Sequence, residues 1–277
     1  MITEIALGNT PLSNSKRFCT AIGNLGFPSI SYAVRDKGGF LGKKITLPQS
    51  RSFKFSTEWA IVGESFSDLA SQREEFVRLL GNILSEGVQT LKITKDNDVS
   101  VQIDVKAVNV VGNLKAEDKT LTPFLVEFEA EYPFLQSSDE IINEVNIFSG
   151  GGMAIPMEIP MDMSADGSSE TFLVNSGNYK AYPLITFYGI MTNPTLTNST
   201  TGESIDLTYN LATADDFIVV DTFLHTVTLY PSGNSVRGKF TGDFLTLAAG
   251  NNYLKLSVTS GTTGKCFIRY RNHYLGI

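Results

Sequence analysis

The chain is poor in the residues that carry most enzymatic and metal chemistry. Its 277 residues include two cysteines and two histidines. Cys19 and Cys266 lie near opposite ends, so their spacing supports neither a zinc site nor a disulfide framework, and they read as two free thiols. Any histidine-dependent metal site or Ser-His-Asp triad has to use His225 or His273, and each reads as a packed or solvent-facing side chain. The nucleophile pattern Gly-x-Ser-x-Gly does not occur. Residues 38–44 (GGFLGKK) hint at a phosphate-binding loop but lack its spacing and the Ser/Thr after the lysine, which leaves a turn-rich loop. Positive charge is also scarce: 22 Lys and Arg against 29 Asp and Glu give a net charge of -7. The longest basic run is Lys43-Lys44, a poor basis for binding nucleic acid. No stretch reaches the roughly 18 consecutive apolar residues that a membrane-spanning helix needs. The opening MITEIALGNTPL lacks the basic and apolar regions of a signal peptide. The sequon Asn198-Ser199-Thr200 therefore reads as chance.

What is present points to β structure. A hydrophobic share of 42% and a charged share of 18% are those of a folded chain, long enough for two cores. Thr, Ser, Asn, Gly and aromatic residues are plentiful, which favours strands over helices. In residues 51–60, Phe53, Phe55 and Thr57 alternate with Lys54, Ser56 and Glu58, the period of a half-buried strand. Residues 91–94, 99–111 and 122–130 read as further strands. One helix interrupts them, with Ser67 or Asp68 as N-cap. Leu69, Phe76, Leu80 and Ile83 fall on one stripe, widened by Leu79 and Leu84, and Gly87 is placed to end it. This helix reads as core packing over one opening of a β-sandwich.

Around residues 136–152 the composition turns polar and then glycine-rich, and the domain boundary is placed there: 1–140 and 141–277. Residues 149–163 hold Pro156 and Pro160, which forbid a helix, so an extended Gly/Pro/Met arm is expected. Its methionines suit either an adaptable contact or the second domain's core. The second half shows strands at 182–188, 204–207, 217–221, 226–230, 252–259 and 266–270, separated by turn residues at short intervals. That pattern implies a β-sandwich or jelly roll.

Two chemical readings of the second half are available. Asp206, Asp215, Asp216 and Asp221 lie at strand ends or turns, where aspartate caps the backbone. A glycosidase pair among them needs a separation that sequence does not give. The aromatics Phe187, Tyr188, Tyr209, Phe223, Tyr230, Phe244 and Tyr253 are available for stacking on sugars, with Tyr188 and Tyr209 as candidate contacts. Most aromatics in such a domain are core residues. The hydroxyl-rich stretch NPTLTNSTTGESIDL (193–207) invites a ligand, yet Asn193-Pro194 and Thr201-Gly202 are turn devices bracketing a hairpin.

Several segments in order carry a family resemblance: FLVEFEAEYPFLQ, then GGGMAIPMEI, NSGNYKAYPLITFYG, NPTLTNSTTGESIDL, DDFIVVDTFLHTVTLYPSGN, LAAGNNYLKLSV and the closing RYRNHYLGI. Over nearly its whole length, most strongly from Asn175 onward, the chain resembles the distal tail protein (Dit) family of long-tailed bacteriophages of Gram-positive hosts. The resemblance implies a mainly β chain: an N-terminal β-sandwich with one α-helix, then a galectin-like or carbohydrate-module-like β-sandwich. It implies a structural tail-tip protein, not an enzyme, forming a hexameric ring. The implied partners are other copies of the chain, the tail tube protein, the hub protein and receptor-binding proteins, with DNA passing through the ring without specific binding. It places the protein in the virion after synthesis in the host cytoplasm. It implies no cofactor, no metal and no catalytic residue, and no saccharide-binding residue is assigned. The chain lacks the long insertions with which some members bind carbohydrate. Residues 23–45 are the expected ring contacts, and the 149–163 arm the expected contact between domains or partners. The alternative is a carbohydrate-binding module or adhesin for a cell-wall saccharide.

Overall fold

The structure is a computed structural model. It describes residues 2–23, 30–36, 43–50, 53–85, 87–95, 100–111, 120–130, 132, 134–147, 169–261 and 263–276. The expected arm at 149–163 and most of the GGFLGKK loop lie outside the described residues. Two compact units are formed: Met1–Ser138 with Tyr274–Ile277, and Asp139–His273. Both are built mainly of β-sheet, and among the described residues there is one α-helix.

In the first unit an antiparallel sheet runs in the order Thr10–Pro11, Ile2–Leu7, Gln89–Lys95, Ser100–Val111, Leu121–Ala130, Phe53–Val62, Arg17–Gly23. Strict alternation sorts its side chains. Phe53, Phe55, Thr57, Trp59 and Ile61 are buried, as are Phe124, Val126 and Phe128 opposite them. Thr57 sits in this apolar row because it is needed there. Its hydroxyl accepts the Trp59 indole N–H at 2.8 Å and donates to the Val126 carbonyl at 3.3 Å, so the buried indole is satisfied. A separate hairpin pairs Ile30–Asp36 with Lys43–Ser50.

The helix, Phe66–Leu84, packs on this core through Leu69, Phe76 and Leu80. Its N-cap is Ser65, not Ser67 or Asp68. The Ser65 hydroxyl accepts the Asp68 N–H at 3.2 Å, and the Asp68 carboxylate accepts the Glu64 N–H at 2.9 Å, a reciprocal arrangement. That backbone bond, with the Lys16 ammonium at 3.0 Å, holds the Asp68 carboxyl below the usual carboxylate range. Ser65, Ser67 and Asp68 are all good capping residues in sequence, and only the entry path of the chain separates them. The close approach at Gly63, where an added Cβ would lie 2.5 Å from the Leu69 nitrogen, fixes that path.

The second unit has two larger sheets. One runs Ile141–Asn146, Lys265–Tyr270, Leu184–Tyr188, Phe217–Asp221, Thr226–Tyr230, Asn234–Ser235, and the other Ser169–Asn175, Gly250–Ser257, Thr195–Asn198, Glu203–Leu207, Phe240–Gly242. Each buries alternate residues in one shared core. Ile185, Phe187, Ile218 and Ile268 come from the first sheet, and Leu173, Leu196, Ile205 and Leu254 from the second.

Candidate functional site: the polar hairpin and the exposed sheet faces

The stretch 193–207 folds as the hairpin Thr195–Asn198/Glu203–Leu207, and its polar groups are spent inside the protein. Asn198 is fully buried. Its amide donates to the Thr246 carbonyl at 2.9 Å and to Asn252 Oδ1 at 3.1 Å, and its oxygen accepts the Thr200 N–H at 3.0 Å. Glu203 Oε2 takes the Thr246 N–H at 2.6 Å and the Thr246 hydroxyl at 2.9 Å. Asn252, also fully buried, closes the 248–252 turn by accepting the Ala248 N–H and donating to the Ala248 and Gly250 carbonyls. The hairpin is thus pinned to the 246–252 loop, and the sequon asparagine has no free amide to offer. Asn198→Ala leaves these partners unmet in a dry site. It is expected to destabilise the second unit by about 2–4 kcal/mol in urea titration. A loss below about 1 kcal/mol would mean that the loop is held by something else.

The other residues singled out from sequence are not brought together. His273 is buried with Nδ1 donating to the Lys180 carbonyl at 3.2 Å, and burial pushes its pKa down to about 4, so the ring is neutral at physiological pH. His225 lies exposed against Phe244, centroids 4.4 Å apart. Asp221 Oδ1 accepts the Phe223 and Leu224 N–H groups, the turn-capping role expected of it. Asp206 accepts the Ser204 hydroxyl at 2.9 Å. Both cysteines are free thiols, and burial raises their pKa, to about 11 for Cys19. Among the described residues no group of His, Cys, Asp and Glu is placed to hold a metal ion. No helix among them is long and apolar enough to cross a membrane.

The aromatic residues divide sharply. Phe187 is core, and Tyr209 and Phe244 are partly buried against it. Tyr188, Phe217 and Tyr230 stand side by side on the outer face of the first sheet, but they are packed on one another. Phe217 lies flat on Tyr230 at 5.1 Å and 8°, with Tyr188 at 6.2 Å on its other side. On the outer face of the other sheet, Phe172 and Tyr253 are opposite one another, 50% and 57% exposed, with centroids 5.4 Å apart and planes tilted by 48°. Phe172 is not apparent from sequence because SETFLVN follows a segment that reads as linker. Its alternation of Glu170, Phe172 and Val174 with Thr171 and Leu173 is the signal that could have found it.

The sheet of the first unit has two unlike edges. Thr10–Pro11 is short and ends in a residue with no N–H. Arg17–Gly23 is a seven-residue strand carrying half-exposed Phe18.

Residues 176–274 match the family model for the siphovirus-type tail component of the SPP1 Dit type, C-terminal domain. Residues 176–274 thus belong to the siphovirus-type tail component family of the SPP1 Dit type. The crystal structure of phage SPP1 Dit is similar over 98% of this chain and 99% of that chain, with a TM-score of 0.64 at 14% identity, which is a likeness of fold. Two structures of the phage P2 baseplate in its activated conformation, with Ca and with Sr, are similar at 12% identity and a TM-score of 0.43. They cover 97% and 96% of this chain and 98% and 97% of theirs. No curated protein matches the chain.

Asn198, Glu203, Asn252 and Asp221 serve as internal ties of the second unit. The ring contacts expected at 23–45 fall on Gly23, on the strands Ile30–Asp36 and Lys43–Ser50, and otherwise on residues 24–29 and 37–42, outside the described set.

Proposed function

We propose that this chain is a Dit protein, a ring subunit at the tip of a siphovirus tail, joining the tail tube to the hub. The observation that carries the reading is the family match over 176–274. The fold likeness to SPP1 Dit, described as a paradigm of the hub adsorption apparatus in Gram-positive-infecting phages, supports it over nearly the full length. In this reading residues 1–140, a sandwich with one helix, build a hexameric ring. Residues 141–277, a galectin-like sandwich, anchor receptor-binding components. The protein is made in the host cytoplasm, and DNA passes through the ring without specific contact. The unequal sheet edges favour a ring: one blunted edge and one edge unpaired among the described residues suit head-to-tail association, in which each copy offers a different surface to the next.

The test is negative-stain microscopy of the purified chain, alone and with the tail tube and hub proteins of the same phage. Rings, alone or on addition of those partners, are expected. Phe18→Glu places a charge on the open edge at a half-exposed position. It is expected to weaken ring formation at least about tenfold while leaving thermal stability nearly unchanged. A chain that never associates with a tail component would overturn the tail-tip reading. Intact rings in the Phe18 variant would overturn only the role given to the edge.

A further inference from the structure

The outer face of the sheet containing Ser169–Asn175 and Gly250–Ser257 holds polar groups that the fold does not use. Glu170 lies opposite Lys255, one row along from the Phe172–Tyr253 pair, and Thr197 lies on the other side of Lys255. Antiparallel partners point to the same face, so these five side chains share one surface. Elsewhere in the unit exposed charges find each other, as Lys265 and Glu144 do at 2.7 Å. Glu170 and Lys255, though directly opposed, form no ion pair and no hydrogen bond among the described residues. The Thr197 hydroxyl is likewise unspent, whereas Asn198 beside it is fully used.

We propose that this face is a saccharide-binding site, with Tyr253 and Phe172 as the stacking surface and Glu170, Lys255 and Thr197 as the groups that bond sugar hydroxyls. A pyranose has an apolar face of C–H groups and a rim of hydroxyls that both donate and accept. It needs an exposed aromatic face beside unspent donors and acceptors. The Phe172–Tyr253 pair meets the first need because its planes are tilted and each residue is about half exposed. The Tyr188–Phe217–Tyr230 row meets it less well, because Phe217 lies flat on Tyr230 and its two tyrosines are only 37% and 39% exposed. The neighbouring row meets the second need: a carboxylate accepts, an ammonium donates and a threonine hydroxyl does both. With both charge signs on the rim and no cationic cluster, the ligand class is a neutral oligosaccharide of hexose or N-acetylhexosamine units. This moves the site from Tyr188 and Tyr209 to a pair on the opposite sheet. The proposal stands beside the tail-tip reading and does not depend on it.

The experiment uses the full chain and a panel of neutral hexose and N-acetylhexosamine tri- to hexasaccharides. Binding is followed by saturation-transfer NMR and titration calorimetry, with ring formation scored in the same samples. At least one oligosaccharide is expected to bind. Tyr253→Ala is expected to weaken it about tenfold or more, and Glu170→Gln and Lys255→Met by a few-fold each. Tyr188→Ala is expected to leave it within about twofold. Tyr253 is more than half exposed, so its variant keeps the fold. No binding across the panel at millimolar sugar overturns the proposal. So does binding that Tyr253→Ala leaves intact but Tyr188→Ala removes. Loss of a tail-protein contact in Tyr253→Ala without any sugar binding overturns it in favour of a protein-docking face. Failure of ring formation alone bears on the tail-tip reading and leaves the sugar result to be scored as it stands.

Discussion

Gly177→Ala is expected to abolish the native fold of the unit Asp139–His273. An added Cβ at Gly177 would run into the His273 carbonyl oxygen, with the His273 nitrogen and carbonyl carbon both at 2.8 Å. These are backbone atoms, so no side-chain rotation relieves the overlap. The surroundings cannot yield cheaply either. Gly177 N–H donates to Asn175 Oδ1 at 3.1 Å, and the Asn175 amide donates to the Tyr179 and Leu247 carbonyls at 2.8 and 3.2 Å. Tyr179 N–H bonds the same His273 oxygen at 3.1 Å, and Ser176 N–H bonds Asn272 Oδ1 at 2.9 Å. Pushing the chain aside breaks several buried or part-buried bonds at once, a cost of about 4 kcal/mol or more. Hydrogen exchange should show loss of protection in strands such as Leu184–Tyr188 and Lys265–Tyr270, while the Trp59 fluorescence of the other unit stays native. Gly202→Ala is the control. Gly202 has φ +77° but nothing within 4 Å of an added Cβ, so only the left-handed backbone cost of about 1–2 kcal/mol applies. A Gly177 variant no less stable than the Gly202 variant would refute the close approach.

Much of this architecture is legible in the residues, and the illegible parts have physical causes. The strands with strict alternation, such as Phe53–Val62 and Ser100–Val111, are apparent because one face meets a core and the other does not. Strands with short or mixed patterns are not apparent. Ile141–Asn146 sits in a segment whose polar neighbours suggest a linker. Its inward residues Ile141, Asn143 and Val145 include an asparagine, which breaks the apolar rhythm. Arg17–Gly23 hides behind a buried arginine and a register shift between Cys19 and Ala21. The hairpin at 193–207 was readable as a hairpin from its turn residues. Its purpose was not, because a buried asparagine and a ligand-binding asparagine look alike in sequence. Only the Thr246, Asn252 and Thr200 partners of Asn198 decide between them. The same limit applied to the aromatics. Tyr188 and Tyr253 are equivalent letters at outward positions, but the first is 37% exposed beside the stacked Phe217 and Tyr230, and the second is 57% exposed in a tilted pair.

Phe76→Ala is expected to loosen the helix Phe66–Leu84 from its sheet, at a cost of about 3–5 kcal/mol. Phe76 is fully buried between Trp59, at 5.1 Å and 53°, and Phe124, at 5.5 Å and 67°. Truncation leaves a ring-sized cavity on the line where the helix meets the strands. A red shift of Trp59 emission and a lower unfolding midpoint are the expected signals, and Phe76→Leu should show about a third of the effect. Arg17 sharpens the test. Its guanidinium, 5% exposed, lies 5.7 Å from the Phe76 ring centre and 3.5 Å from Glu75 Oε1, while its Nε and Nη1 have no hydrogen-bond partner among the described residues. A buried guanidinium with unmet N–H groups and one long ion pair contributes little net stability, because desolvation offsets the attraction. Arg17→Met keeps the apolar stem and removes the unmet donors, so it is expected to be neutral or stabilising in the wild-type background. If Arg17→Met instead costs more than about 2 kcal/mol, the contacts to Glu75 and Phe76 are what hold the helix, and the apolar account of that interface fails. In the Phe76→Ala background the same change should become clearly stabilising, since the charge then borders an empty apolar cavity. That difference in response to one substitution separates packing from pairing as the force that seats the helix.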